Sequence, residues 1–267
     1  MATVARMTYN SVDLSGAGYD VEVEDVSIPS FPTPRIDIQS VPYGGGISQG
    51  KYYEPFQIAV QAVILGTSVA DLQDNCQAVA AVFDVDADKS LVFDYYDNTI
   101  RWMARLTDSS SAKVSIHARR FRWTFTCPNP IAEDASATSE VATPDSDSYT
   151  FYVPASGNLG GNYEATPAYT IKANGACAAS VKLKNVTRDE EIEYAAALIN
   201  GDWLEIDTAL WTVRKSTDSG TSWTNVIGNC TASPFPKLDD GAHNEMLLTN
   251  CDNSTITTSY RARYIGG

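Results

Sequence analysis

Apolar and acidic positions alternate along Asp20-Val21-Glu22-Val23-Glu24, so a strand there would carry valines on one face and carboxylates on the other. Between Phe31 and Pro42, prolines at 32, 34 and 42 flank an alternating Ile36 and Ile38, the pattern of a short edge strand between turns. Gly44-Gly45-Gly46, Gly50 and Tyr52-Tyr53 then read as a loop or arm. Phe56, Ile58, Val60, Ala62 and Ile64 alternate as a strand, after which the period lengthens. Val69, Leu72, Cys76, Val79 and Phe83 recur at spacings of three and four, behind Ser68 as N-cap and with Asp71 in the first turn. One amphipathic helix on a sheet is the expected result. Strands follow at 91–95, 100–106 and 119–127, giving a β-rich α+β domain.

Cys127-Pro128-Asn129-Pro130 stops the last of these strands, because proline lacks the ladder donor. Residues 131–148 are Ala, Ser, Thr, Asp and Glu with almost nothing large and apolar, a composition expected to stay a linker. Beyond it, strand patterns at 149–153, 168–173, 178–186, 192–196, 203–207, 212–214, 246–249 and 254–264 alternate with turn signals such as Asn200-Gly201 and Asp240-Gly241. No helical period appears, and the pattern is that of a β-sandwich. The expected organisation is therefore a domain over 1–130, a linker over 131–148 and a sandwich over 149–267.

Charge narrows the function. Nineteen Lys and Arg stand against 33 Asp and Glu, a formal net of -14, which repels phosphate backbones and argues against sequence-reading nucleic-acid binding. No apolar run reaches the length of a membrane span and the opening residues lack a secretory pattern, so synthesis in the cytosol is expected. The five cysteines are an odd number with no C-x-x-C pair, and they read mostly as buried thiols, with a Cys230–Cys251 bond left open. The N-x-[ST] triplets at Asn185, Asn229 and Asn253 read as chance matches.

Catalytic and cofactor chemistry finds little purchase, and neither a catalytic, a metal nor a cofactor site is assigned. Asp84, Asp86 and Asp88 begin like a calcium loop, but Lys89 and Tyr95 occupy the positions that need Gly and a bidentate Glu. His117 and His243 are far from any cysteine pair. No nucleophile elbow occurs, and pairing Asp189, Glu190 or Glu191 with Asp207 as glycosidase carboxylates has little specificity in so acidic a chain. Trp203, Trp211, Trp223 and Tyr194 could stack on a sugar, although most tryptophans of a sandwich are expected in its core.

Several short motifs occur in an order that resembles the distal tail protein family of siphophages. They are Gly201-Asp202-Trp203-Leu204-Glu205-Ile206-Asp207, then Phe235-Pro236-Lys237-Leu238 leading to Gly241 and Asn244, and the closing Tyr260-Arg261-Ala262-Arg263-Tyr264. Ala242 and His243 make the Gly-to-Asn spacing one residue longer than the family's usual form. Asn162 to Ile171, with Thr166-Pro167 before a strand, is similar to the start of the family's second domain. Asp207, Phe235, Pro236, Leu238, Gly241 and Asn244 are the positions that carry the likeness. The resemblance implies a non-enzymatic virion protein: a hexameric ring of belt domains at the tail tip, a galectin-like sandwich projecting from each subunit, and assembly in the host cytoplasm. Its implied partners are the tail tube protein, the tail-tip hub protein and receptor-binding or adhesion proteins, with DNA passing through the lumen without specific binding. Within that frame Asp20, Glu22 and Glu24 are candidates for a lumen wall, against an ordinary solvated face. Arg120, Arg122, Tyr52 and Tyr53 are candidates for subunit contacts. A carbohydrate-binding adhesin that touches the host directly is the competing reading.

Overall fold

The computed structural model describes residues 6–16, 18–40, 46–95, 98–177, 180–232 and 234–265. The chain divides into two compact units, Met1–Ala135 with Tyr264–Gly267, and Ser136–Arg263.

In the first unit the strands are β1 (Met7–Tyr9), β2 (Val12–Asp13), β3 (Val21–Ser27), β4 (Pro34–Ser40), β5 (Gly46–Tyr53) and β6 (Phe56–Leu65). Helix α1 (Val69–Phe83) follows, then β7 (Lys89–Tyr95), β8 (Asn98–Lys113), β9 (Ala118–Cys127) and β10 (Ala132–Asp134). The main sheet runs β2-β1-β7-β8-β9-β6-β3, with β10 added to β8, and every pairing is antiparallel. Alternation fixes its faces. Ile58, Val60, Ala62 and Ile64 of β6 and Trp123 and Phe125 of β9 are buried towards α1, whereas Gln57, Gln61, Arg120 and Arg122 are exposed on the opposite face.

The helix occupies the expected span. Ser68 Oγ accepts the Asp71 N–H at 3.1 Å, and the Asp71 carboxylate in turn accepts the Thr67 N–H at 2.6 Å and its hydroxyl at 2.7 Å. Those two bonds, the backbone one foremost, hold the Asp71 carboxyl below its usual range. Phe83 anchors the helix, edge-on to Tyr9, Trp123 and Phe125 with ring centroids 5.0–5.5 Å apart. The buried stripe is Leu72, Asn75, Val79, Val82 and Phe83, so Val69 and Cys76, expected on it, instead stand at its margin. Asn75 is the polar member: its amide donates to Leu65 O at 2.9 Å and to the Asp20 carboxylate at 3.2 Å.

The glycine-rich arm is a correction. Gly46–Tyr53 is a strand, and it pairs with β4 into a two-stranded hairpin that joins no other sheet among the described residues. Gly44 and Gly45 lie outside the described residues.

The second unit holds β11 (Thr138–Ala142), β12 (Ser148–Val153), β13 (Ala168–Ala173), β14 (Val181–Asn185), β15 (Glu190–Tyr194) and β16 (Trp203–Asp207). It continues with β17 (Thr212–Ser216), β18 (Thr224–Asn225), β19 (Cys230–Ala232), β20 (Asn244–Thr249) and β21 (Ser254–Tyr260), while the last strand, β22 (Arg263–Tyr264), pairs with β10 in the sheet of the first unit. One sheet runs β11-β21-β13-β16-β17-β18 and the other β12-β20-β14-β15-β19, and their inner faces bury Tyr169, Ile171, Leu183, Ile192, Leu204, Val213, Leu248 and Ile256. The segment expected as a linker is in part strand: β10 and β11 lie inside 131–148, and β11 pairs residue by residue with β21 from Thr138–Tyr260 to Ala142–Ile256. An edge strand needs only one neighbour's backbone, so poor apolar content did not prevent order.

The cysteine reading is also corrected. Cys177 and Cys251 form a disulfide, while Cys76, Cys127 and Cys230 are free. The two partners are 74 residues apart, and the fold joins them where the segments after β13 and β20 meet, with the Asn174 N–H donating to Asn253 O at 2.8 Å.

Candidate assembly surfaces and the motif segment

The exposed face of the first unit gathers most of the expected contact residues. Glu22 and Glu24 project from β3, and Arg120 and Arg122 from β9 two strands away, because β3, β6 and β9 pair in register through Glu22–Val63–Arg120. Arg120 Nη2 lies 2.8 Å from Glu24 Oε1, and this bond raises the guanidinium pKa further. Asp20 does not join them. It sits at φ +47 before β3 begins, which breaks the alternation, and its carboxylate bonds Asn75 of α1. Tyr52 is exposed and Tyr53 half-buried on β5 of the hairpin, beside the Arg35–Glu54 ion pair.

Besides the edge strand β2, this sheet has two open borders. Among the described residues no strand lies beyond β3, and β8 from Arg105 to Lys113 is paired on one side only, by β9. Both borders are irregular, with register shifts between Val23 and Asp25 and between Leu106 and Asp108. Bulges and charges of this kind keep a free edge from pairing indiscriminately.

In the second unit the motif positions build a closed corner. Asn244 is fully buried, and its Oδ1 accepts the Asp239 N–H at 2.8 Å while its Nδ2 donates to Asp239 O at 3.1 Å, tying the 239–244 turn into a ring. Gly241 sits at φ +64 in that turn, where a side chain would be strained. Leu238 is fully buried and exchanges backbone bonds with Ala165, and Pro236 O accepts the Tyr169 hydroxyl at 3.0 Å. Phe235 packs 5.2 Å from Trp211, and Asp207 Oδ1 accepts the N–H groups of Ala209 and Leu210, both at 2.9 Å. Around the corner, Arg188 is paired with Glu164, Glu190 and Asp239, and Lys237 with Glu164. Burial in this corner, followed by the Glu190 charge, raises the Tyr169 hydroxyl pKa well above its ordinary value.

The carboxylates considered for catalysis are thus engaged: Glu190 with Arg188, Asp189 with Lys184, Glu191 with Lys182, and Asp207 in its turn. His243 stacks on Tyr152 at 4.4 Å, and His117 is exposed in the β8–β9 turn. Among the described residues no group of His, Cys, Asp and Glu is placed to hold a metal ion.

The tryptophan expectation fails, since Trp211 is 53% exposed and Trp203 and Trp223 are half-buried, while Tyr194 is core. Trp203 lies against Gly220 and beneath Lys172, and Trp223 beneath Arg214. The turn from Ser216 to Trp223 is organised by Asp218, whose Oδ1 accepts from Ser216 Oγ at 2.6 Å, Thr221 N at 3.1 Å and Ser222 N at 2.8 Å. Those bonds, led by Ser216, hold the Asp218 carboxyl far below its usual range.

Residues 160–264 match the family described as siphovirus-type tail component, C-terminal domain. Those residues are the motif-bearing part of the second unit. The fold is also that of the crystal structure of the Dit protein of phage SPP1, described as a paradigm of the hub adsorption apparatus in phages that infect Gram-positive bacteria. That match has 13% identity, covers 96% of this chain and 98% of that one, and gives a TM-score of 0.68. Chains of the phage P2 baseplate in its activated conformation match with 11% identity, one with calcium at TM-score 0.54 over 93% of this chain and 92% of that one. Another, with strontium, matches at TM-score 0.53 over 95% and 96%. No curated protein matches by sequence. The family match is confined to the second unit, and the likeness to these solved structures shows a shared fold along both units.

Proposed function

We propose that this distal tail protein closes a hexameric ring through its first unit, joins tail tube to tail-tip hub, and carries adhesion proteins on its second unit, without enzymatic activity. The pair of free edges carries the reading. β3, β6, β9 and β8 form a four-stranded antiparallel layer that is open at both ends. With an even number of strands, a copy generated by rotation presents its β3 antiparallel to β8 of its neighbour. The contact is heterologous, and it leaves no edge once the ring closes. Glu22 and Glu24 of the arriving β3 then stand on the same sheet face as Arg120 and Arg122, a complementary arrangement of charges.

In this ring the polar face, with Glu22, Glu24, Gln57, Gln61 and Ser110 and with Arg120 and Arg122 among them, is the lumen wall, past which DNA moves without specific binding, and α1 lies outside. The hairpin bearing Tyr52 and Tyr53 reaches a neighbouring subunit. Negative-stain microscopy of the full chain tests this. Six-fold rings, single or back to back, are expected, and single particles at every concentration would refute it.

Trp211, exposed at the β16–β17 tip, keeps the adhesin as a second reading. A saturable tryptophan-fluorescence response to host-wall sugars, lost in Trp211→Ala, would favour it.

A further inference from the structure

The charges on the exposed face of the first unit are not all matched within the chain. Glu24 is the extra residue of the bulge in β3, and it reaches across β6 to the Arg120 guanidinium at 2.8 Å. Arg122 has no ion pair or side-chain hydrogen bond among the described residues, and neither have Glu22 and Asp25. All three are exposed. The two acids stand on β3 at one border of the β3-β6-β9-β8 layer, whereas Arg122 stands on β9 behind Ser110 of β8 at the other. Inside the chain Gln61, a long side chain on the same face, separates Asp25 from Arg122. At the border only Ser110 intervenes.

These charges select one register for a β3 laid antiparallel on the next copy's β8. A slip of one residue would turn the valines of β3 to the polar face, so only shifts of two need weighing. With Asp25 opposite Ser110, Glu22 falls opposite Ala112, because the bulge lets three residues of β3 span two steps of the ladder. Each acid then faces an arginine of β9 across one small residue: Asp25 faces Arg122 over Ser110, and Glu22 faces Arg120 over Ala112. The span is two strand spacings, about 10 Å, and Glu24 and Arg120 already bridge such a span within the chain. Shifted by two residues one way, Asp25 would stand opposite Asp108, where like charges repel. Shifted the other way, Arg122 would face Ser27, and Glu22 would stand opposite Val114, beyond the end of β8. We infer that β3 of one copy pairs with the outer half of β8 of the next with Asp25 opposite Ser110, and that an ion pair between Asp25 of one copy and Arg122 of its neighbour fixes this register. The inference rests on the ring reading, and it names the contact that selects the pairing.

Two oppositely reversed chains test it. Asp25→Arg and Arg122→Asp change exposed positions, so each should leave the monomer's thermal unfolding nearly unchanged while raising the assembly midpoint at least about tenfold in sedimentation. Mixed in equal amounts they should form rings again, the two chains alternating, because each border then joins opposite charges. An ion pair made within one chain would be broken in both variants, and mixing would not repair it. As a readout that leaves these charges in place, Ser27→Cys/Asp108→Cys rings should cross-link between copies under mild oxidation at least about tenfold faster than Ser27→Cys/Ser110→Cys rings. Reversed chains that each assemble as the wild type does, a mixture that stays unassembled, or the opposite order of cross-linking would overturn the register and leave the ring standing. A wild-type chain that forms no ring would overturn both.

Discussion

The two units handle their backbone and side-chain needs differently. In the second, the buried Asn244 ties one corner, a disulfide fastens another, and Arg188 and Lys237 are matched by Glu164, Glu190 and Asp239, although its two sheets still end in the edge strands β11, β18, β12 and β19. The first is as well packed around Phe83 and Trp123, yet it keeps two free edges, a hairpin outside its main sheet, an apolar groove and the exposed Phe31. The free borders of the first unit are the ones that the proposed ring would close.

The contrast can be broken most severely at the disulfide. Closing a 74-residue separation restricts the unfolded chain by about 4 kcal/mol, so Cys177→Ser/Cys251→Ser should destabilise the second unit by roughly that amount in urea unfolding. Assembly through the first unit should survive. Asn244→Ala removes a fully buried amide and leaves the half-buried Asp239 N–H without its acceptor, which should cost about 1–3 kcal/mol, again without loss of rings by microscopy. The reverse pattern is expected of Glu22→Lys/Glu24→Lys. Both side chains are exposed, so thermal unfolding of the monomer should shift little, while sedimentation shows the midpoint for assembly raised at least about tenfold.

The smallest effect concerns alkaline pH. Burial, then the hydrogen bond to Glu140, raises the Tyr260 hydroxyl above its ordinary value of 10.0, and burial with Asp134 pushes Tyr264 up to about 12. The folded chain keeps protons that the unfolded chain releases, so this stability is fully present below about pH 10 and declines above it. Tyr260→Phe should flatten that decline in unfolding curves taken between pH 9 and 11.

Local order was the most legible part of the sequence. The Ser68 cap, the span of α1 and strands such as β13 and β16 follow from periodicity and capping alone. What escaped depended on partners distant in sequence. β11 is polar and becomes a strand only because β21 offers its backbone, and Cys177 meets Cys251 only once the sandwich is folded. Asp20 escaped for a local reason, a positive φ that ends the alternation one residue early and turns its carboxylate to Asn75. The motif residues were legible as a likeness but not as a mechanism: nothing in Gly241 or Asn244 alone says that the asparagine closes the turn the glycine permits.

Amide hydrogen exchange on assembled wild-type particles, compared with the Glu22→Lys/Glu24→Lys chain, tests the central claim most directly. If β3 of one copy pairs with the outer half of β8 of the next, amides in Val21–Ser27 and in residues 105–113 should exchange at least about tenfold more slowly in the particle, while the interior strands β6 and β9 change little. Equal exchange at both borders, with new protection confined to other surfaces, would contradict the account.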